Sequence, residues 1–293
     1  MDDAAWTTGT VLVEGTRLHF HRMGGSGRPV LLLLHGITDD GSCWTRVARD
    51  LEADFDIVMP DARGHGRSDS VGPDLSVARL ASDVAGLLDE LGIAEALVFG
   101  HSMGAITAVE LAASRPDLVR GCILEDPPFG VLAAPSPERV AEMRTEIASW
   151  STLPAAARHE LAAAQNPGWS REETDSWADA KALVDPDVVG HLGSIRRADW
   201  RPALERMRCP GLLITGDADL GAIVTTSTAR EVGRLWPAGR VVHIGGSGHC
   251  VHRDRWEATM TEVRAFLREQ VVSTSSMQAS ASGAQEGDRG SCA

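Results

Sequence analysis

One short segment, Gly100-His101-Ser102-Met103-Gly104, has residue types and spacing that can present a serine hydroxyl as a nucleophile. The apolar residues 96–99 before it have the length of a buried strand, and residues 105–113 after it have the composition of a helix. A G-x-S-x-G sequence between a strand and a helix forms a sharp turn that exposes the serine, and glycine avoids the clash that a Cβ would make there. The pattern therefore predicts that Ser102 is a nucleophile rather than an incidental loop serine.

A serine hydroxyl needs a base that accepts its proton, and His249 is the candidate for that base. It follows a glycine-rich loop, residues 245–248, which comes after an alternating segment that predicts a strand over residues 240–244. A neutral imidazole can take the serine proton and later return it to the leaving group near neutral pH. A histidine on a surface loop is the alternative interpretation, and His252 fits it.

Three carboxylates are candidates for the acid that orients the imidazole. The apolar residues 211–215 predict a strand, and Gly216 and two aspartates follow it. We predict that Asp219, three residues past Gly216, holds the tautomer of His249, and that Asp217 braces the loop. Glu125, at the end of an earlier apolar segment, is the third candidate, and all three remain open.

Two backbone N–H groups are candidates for an oxyanion hole. Ile37 comes shortly after the apolar residues 29–34, and Met103 directly follows the predicted nucleophile. Fixed donors aimed at the developing oxyanion stabilise it without reorganisation, and each contributes about 3 kcal/mol to lowering the barrier. We expect His35, beside Ile37, to brace this loop rather than to take part in the chemistry.

Together these motifs resemble those of the α/β-hydrolase fold, and the resemblance covers the chain up to about residue 272. Residues 61–68 resemble the D-x-R-G-x-G-x-S loop of that family, and Gly41 and Trp44 fit the segment after its H-G motif. Some members place the acid after the strand that here ends at Glu125. The resemblance implies a mostly parallel central sheet with helices on both faces and a helical cap insertion, but one fold hosts many reactions.

The rest of the chain alternates between strand and helix patterns, which is typical of a parallel sheet covered on both faces. Residues 10–13 and 17–21 predict an antiparallel hairpin at the start, and Ser76 and Gly92 are the predicted ends of a long helix. Between the apolar residues 121–124 and 211–215 helical patterns dominate, over residues 137–150, 154–165, 171–182 and 187–195. We predict an α/β core formed by residues 1–126 and 203–272, a helical cap over residues 127–202, and a disordered tail over residues 273–293, which is rich in Ser, Ala, Gly and Gln.

Half of the eight tryptophans lie in the predicted cap, namely Trp150, Trp169, Trp177 and Trp200. They either pack the cap onto the core or line an apolar pocket over Ser102. The second interpretation predicts a small, largely apolar substrate, with charged esters reacting more slowly than aryl or medium-chain acyl esters.

Composition limits the classes of partner. The formal net charge of −13 disfavours nucleic acids and anionic membranes, so we expect a small-molecule substrate and neither of those partners. No apolar run of membrane-spanning length and no signal region are present, and the five cysteines lack C-x-x-C spacing, which predicts a cytoplasmic protein with reduced thiols. No pattern implies a metal or an organic cofactor, and the oligomeric state is left open.

The resemblance implies a serine hydrolase that cleaves a carboxylic ester or lactone through an acyl-enzyme. Haloalkane dehalogenases and epoxide hydrolases of this fold are disfavoured, because the elbow holds Ser102 rather than aspartate and the chain has no tyrosine. Hydrolysis of a C–C or amide bond remains an alternative, although Cys250 stands where C–C hydrolases usually have tryptophan. Met103 also resembles the residue found in cofactor-free perhydrolases, and a non-catalytic ligand receptor is the alternative outside enzymes.

Overall fold

A computed structural model describes residues 6–25, 27–129 and 133–286 of the chain. Its strands are β1 (Thr7–Val13), β2 (Thr16–Met23), β3 (Val30–Leu34), β4 (Asp56–Pro60), β5 (Ala96–His101), β6 (Val119–Glu125), β7 (Gly211–Thr215) and β8 (Gly239–His243). They form one sheet in the order β1-β2-β4-β3-β5-β6-β7-β8. The predicted hairpin is β1 and β2; β2 also pairs antiparallel with β4, and all other neighbours are parallel.

The middle strands are buried because helices cover both faces of the sheet. In β3 successive side chains point to opposite faces, so Leu32 and Leu34 lie in one hydrophobic core while Leu31 and Leu33 lie in the other. This explains why the strand sequence is continuously apolar rather than alternating. Parallel strands also bring their carboxyl ends to one edge, where the loops after β3, β5, β6 and β7 emerge.

The described chain contains eleven α-helices. They are α1 (Thr45–Leu51), α2 (Val77–Glu90), α3 (Met103–Ser114), α4 (Pro137–Thr152), α5 (Ala155–Gln165), α6 (Arg171–Lys181), α7 (Leu192–Arg197), α8 (Arg201–Arg206), α9 (Thr226–Leu235), α10 (Val251–Asp254) and α11 (Trp256–Glu286). Helix α2 begins as predicted, because Ser76 Oγ accepts a hydrogen bond from the Arg79 N–H at 3.2 Å. None of the described helices is long and apolar enough to cross a membrane.

The described chain between β6 and β7 contains helices and no strand. Helices α4 to α7 lie within the predicted cap, but the helix expected over residues 187–195 is instead a 3₁₀ helix, Pro186–His191, followed by α7. Helix α8 crosses the predicted end of the cap at residue 202. Trp150 packs with Ala162 and Ala178 in a small hydrophobic cluster belonging to the cap itself.

The end of the chain includes the tail over residues 273–293, whose disorder stays a prediction. Helix α11 continues past residue 273 as far as Glu286, and the rest of the predicted tail, residues 287–293, lies outside the described residues. The four described cysteines, Cys43, Cys122, Cys209 and Cys250, are free thiols, and Cys292 lies outside the described residues.

Candidate active site

Ser102 occupies a strained turn between β5 and α3. Its φ of 52° and ψ of −114° lie in a region that L-residues rarely adopt. A Cβ on Gly100 would lie 2.4 Å from the carbonyl oxygen of Gly104, and a Cβ on Gly104 would lie 2.0 Å from the carbonyl oxygen of Leu34. Glycine is therefore required on both sides of Ser102 for the turn to close. The Ser102 N–H donates to the Glu125 carbonyl at 2.9 Å and ties the turn to β6.

The structure brings Ser102 and His249 together and adds Asp126 to them. Ser102 Oγ lies 3.0 Å from His249 Nε2, and His249 Nδ1 lies 2.6 Å from Asp126 Oδ2. The imidazole is about one-third exposed, whereas the carboxylate is fully buried. The same carboxylate accepts the N–H groups of Ile223 at 2.8 Å and Val224 at 2.9 Å. Asp126 can therefore hold the Nδ1–H tautomer and leave Nε2 free to accept the serine proton.

The prediction that Asp219 orients His249 is wrong. Asp219 is exposed in a 3₁₀ turn, Ala218–Leu220, after β7. The loop beyond that turn instead directs its Ile223 and Val224 N–H groups at Asp126, so the carboxylate comes from the neighbouring strand β6. One sequence signal could have identified it, since Asp126 stands between the end of an apolar strand and Pro127, where a turn is expected.

The two alternative acids have other contacts. Asp217 accepts the Gly246 N–H at 2.6 Å and lies 2.8 Å from His243 Nε2, so it braces the loop before His249, as expected. Glu125 is buried and lies 2.8 Å from His252 Nδ1. Burial alone would raise the pKa of Glu125, but the charge and hydrogen bonds of His252 hold it at about 2.

His252 is not on the surface. It is 2% exposed, stacks on Trp44 with ring centroids 4.9 Å apart, and donates its backbone N–H to Glu125 Oε1 at 3.0 Å. The interpretation of His252 as a surface-loop histidine is therefore wrong. Its pairing with Glu125 fixes the start of helix α10 against the end of β6, directly beside Asp126.

His101 supports the histidine loop, residues 245–249, which ends at His249. Its Nε2 lies 3.0 Å from the His249 carbonyl oxygen, which can only accept, so this nitrogen is the donor. Burial lowers the pKa of His101 to about 3, and the ring is therefore neutral near pH 7. The G-x-S-x-G pattern accepts any residue at position 101, so the sequence contains no signal for this role of His101.

The two predicted oxyanion donors come from adjacent strand ends. Strands β3 and β5 are parallel neighbours with Leu34 opposite Gly100, and Ile37 and Met103 each lie three residues beyond this last pair. Met103 is the first residue of α3, where backbone N–H groups have no acceptor within the helix. His35 braces the loop as expected, because its Nε2 accepts the Ala62 N–H at 3.0 Å.

The cap contacts the loops that flank Ser102. Trp169 Nε1 donates to Asp254 Oδ1 at 2.7 Å, and Asp254 Oδ2 accepts the Gly248 N–H at 2.8 Å, one residue before His249. Trp177 makes edge-to-face contacts with Trp169 and with Trp150, with centroids 5.6 Å apart in both pairs. Three of the four cap tryptophans therefore form one cluster beside the histidine loop.

The fourth cap tryptophan lies elsewhere. Trp200 stacks on Phe129 with ring centroids 4.5 Å apart, and its Nε1 donates to the Phe129 carbonyl at 3.0 Å. It is buried, so its contacts are those of a packing residue that joins α8 to the segment after β6.

One group of side chains among the described residues has donor atoms close enough for a metal ion. His19, His21 and Asp61 each offer an atom within 4.8 Å of the others. The Asp61 carboxylate already accepts the N–H groups of Gly41 at 2.8 Å and Arg67 at 2.9 Å. These contacts explain the carboxylate as the anchor of the loop over residues 61–68, and none of the three side chains touches Ser102, His249 or Asp126 in the described contacts.

Comparison with known proteins supports the architecture. The model of the alpha/beta hydrolase family matches residues 31–262. The chain is 35% identical to the lipase LipV of Mycobacterium tuberculosis over 225 residues, which is 75% of this chain and 80% of that protein. It is 29% identical to the N-formylmaleamate deformylase of Pseudomonas putida over 272 residues, which is 90% of this chain and 97% of that protein.

A solved structure has the same architecture. The enol-lactonase from Burkholderia xenovorans LB400 superposes with a TM-score of 0.71 at 27% identity, covering 89% of this chain and all of that one. This overlap confirms the predicted fold class, a mostly parallel sheet covered by helices on both faces.

Proposed function

Because the chain belongs to the alpha/beta hydrolase family, we propose that it is a serine hydrolase that cleaves a carboxylic ester or lactone of a small substrate through an acyl-enzyme. One observation carries the proposal: Ser102 Oγ, His249 and the buried Asp126 form a continuous hydrogen-bonded series. A protein that only binds ligands has no need for such a series, which is our reason for setting aside the non-catalytic receptor.

In the first step Ser102 Oγ attacks the substrate carbonyl carbon while His249 Nε2 accepts its proton. The imidazolium that forms is stabilised by the Asp126 carboxylate, which the Ile223 and Val224 N–H groups hold in place. The Ile37 and Met103 N–H groups receive the negative charge that develops on the carbonyl oxygen.

In the second half of the reaction water replaces Ser102 as the nucleophile, and His249 transfers the protons in the opposite direction. His249 returns its proton to the leaving alkoxide, and the C–O bond breaks to leave the acyl group on Ser102. His249 then removes a proton from water, and the resulting hydroxide attacks the acyl carbon. Collapse of the intermediate expels Ser102 Oγ, which regains its proton from His249, and the carboxylic acid product departs.

The relatives support ester chemistry and one alternative. A lipase and an enol-lactonase both cleave ester bonds, which favours an ester or lactone for this chain. The similarity to the deformylase extends over 97% of that protein, so hydrolysis of a C–N bond by the same residues is the second candidate. The cytoplasmic location and the exclusion of nucleic acid and membrane partners stay predictions from the sequence.

Labelling with a fluorophosphonate tests the proposal directly, because this reagent bonds covalently to activated serine hydroxyls. We expect stoichiometric labelling of the wild type at Ser102, none of Ser102→Ala, and unchanged labelling of Ser114→Ala, a variant at an exposed serine at the end of α3. Turnover of Ser102→Ala should fall by about a millionfold. Labelling at another residue, or turnover by Ser102→Ala above a few per cent of wild type, would overturn the proposal.

A further inference from the structure

Lys181 is the only lysine among the 293 residues, and it lies at the end of helix α6 in the cap. Its Nζ is 3.3 Å from Thr38 Oγ1. Thr38 directly follows Ile37, one of the two proposed oxyanion donors. The cap therefore extends a single ammonium group to the loop that is to receive the substrate carbonyl.

The ammonium group is held by aromatic rings. Nζ lies 4.3 Å from the ring centroid of Trp177 and 5.5 Å from that of Trp150, both within range for cation–π attraction. Burial lowers the pKa of Lys181, and the nearby Asp39 carboxylate opposes that effect. A flexible lysine is thus placed in one position rather than extended into water.

The charges around Lys181 do not balance. Among the described residues no carboxylate lies within 4.0 Å of its Nζ. Asp39, the acid that acts on it, pairs with the buried Arg253, whose Nη2 donates to Oδ2 at 3.0 Å. Burial raises the pKa of the Cys43 and Cys250 thiols, so both are neutral. Two cations therefore share one carboxylate.

Arg253 also has unused donors. Its Nε and Nη1 are buried and have no hydrogen-bond partner among the described residues. Leaving charged donors unsatisfied in a buried place is costly, unless an anionic ligand supplies the missing acceptor. The Arg253 N–H donates to the Cys250 carbonyl at 3.1 Å, and Cys250 directly follows His249, so Arg253 lies one helical turn from the catalytic base.

We propose that Lys181 binds a carboxylate of the substrate, so that the natural ester or lactone bears a free carboxylate near the carbonyl that Ser102 attacks. This inference rests on the proposed function and adds an anionic group to its substrate. It reverses one expectation from the cap tryptophans, that charged esters react more slowly. The rings of Trp150 and Trp177 would then hold the cation as well as the apolar part of the substrate.

A structural latch is the competing explanation, since the bond between Lys181 and Thr38 joins the cap to the core. The two explanations differ in what they predict for substrate charge. A latch affects all substrates alike, whereas a carboxylate site affects only anionic ones.

The experiment compares monoethyl succinate with ethyl succinamate, which has the same shape but a neutral amide in place of the carboxylate. Ethanol release gives kcat/KM for both. We expect wild type to favour the carboxylate ester by about 10- to 100-fold, the range for charge-assisted hydrogen bonds. The preference should fall below about twofold in Lys181→Met and persist in part in Lys181→Arg, with thermal melts confirming that both variants fold.

Two further variants complete the test. Thr38→Val removes the latch but keeps the charge and should retain the preference, and Arg144→Met removes an exposed cap cation and should change neither rate nor preference. Fluorophosphonate labelling is run in parallel. Absence of labelling at Ser102 would contradict the proposed function itself. Labelling without a carboxylate preference, or a preference that survives in Lys181→Met, would overturn only the role of Lys181.

Discussion

The core edge and the cap contribute to the site by different physical means. Loops after β5, β6 and β7 are held by backbone hydrogen bonds to neighbouring strands and loops, such as Ser102 N–H to Glu125 and Asp126 N–H to Ile214 at 3.0 Å. The cap meets the loop after β3 and helix α10 largely through side chains, including Trp169 on Asp254 and Lys181 on Thr38. Backbone ladders fix positions closely, whereas side chains on helices can be exchanged without altering the sheet. The core should therefore determine whether the reaction occurs, and the cap should determine which substrate is used.

The largest effect separates Asp126 from Asp219. Asp126→Asn should lower kcat by about ten-thousandfold, because an amide cannot enforce the His249 tautomer that accepts the serine proton. Asp219→Asn should change kcat less than twofold, because Asp219 is exposed in the 3₁₀ turn after β7. Steady-state kinetics of both variants, with thermal melts to verify folding, provide the measurement. A large loss in Asp219→Asn with little loss in Asp126→Asn would return the acid to the loop after β7.

The comparison of Asp126 with Asp219 also shows what can and cannot be predicted from the sequence. Ser102 and His249 are predictable because each depends on a local backbone need: the glycines of the elbow and the glycine-rich loop after β8. The acid is not local, because it depends on which of two adjacent strand ends approaches the imidazole. Only the folded chain shows that the Ile223 and Val224 N–H groups point at Asp126.

The cap is harder to predict for the same reason. Most of its helices follow from their periodicity and their caps, as Ser170 shows by accepting the Glu173 N–H in a capping box. Their orientation relative to Ser102 depends on packing between distant segments. The importance of Lys181 therefore has no sequence signal beyond its being the single lysine, and it becomes visible only beside Thr38 and Trp177.

A second core prediction concerns the Glu125 and His252 pair. Because the folded-state pKa of Glu125, about 2, is below its ordinary value of 4.5, the pair stabilises the fold above pH 4.5. That stability, on the order of 3 kcal/mol, is lost as the pH falls from 4.5 towards 2. Glu125→Gln should lower the free energy of unfolding at pH 7 and flatten its decline in that window. Urea unfolding at several pH values measures both, and an equally steep decline in Glu125→Gln would contradict this role.

A smaller effect is expected where the cap meets the histidine loop. Trp169→Phe keeps an aromatic ring but removes the donor to Asp254, so the carboxylate that accepts the Gly248 N–H loses a contact that holds it in place. We expect kcat/KM to fall by about tenfold, equivalent to about 1.4 kcal/mol, within the range for the net contribution of one intramolecular hydrogen bond. The matched control is Trp150→Phe, for which no hydrogen bond to the core is seen among the described residues. If both variants show the same change, the ring packing rather than the Asp254 contact connects cap and core.

The smallest expected effect, a shift in one titration, tests the cap alone. Because Lys181 is the single lysine, reductive methylation with ¹³C-formaldehyde labels only its ammonium group and the chain's amino terminus, and the two signals separate by their pKa values. Burial lowers the pKa of Lys181 from its ordinary value of 10.5, so its NMR signal should titrate at lower pH than that of a similarly methylated lysine in an unfolded control in urea. Adding succinate should move that midpoint upwards, since a bound carboxylate favours the charged form, whereas succinamide should leave it unchanged. A midpoint at or above that of the unfolded control would show that Lys181 extends into water, and the cap would then lack the half-buried cation on which the carboxylate preference depends.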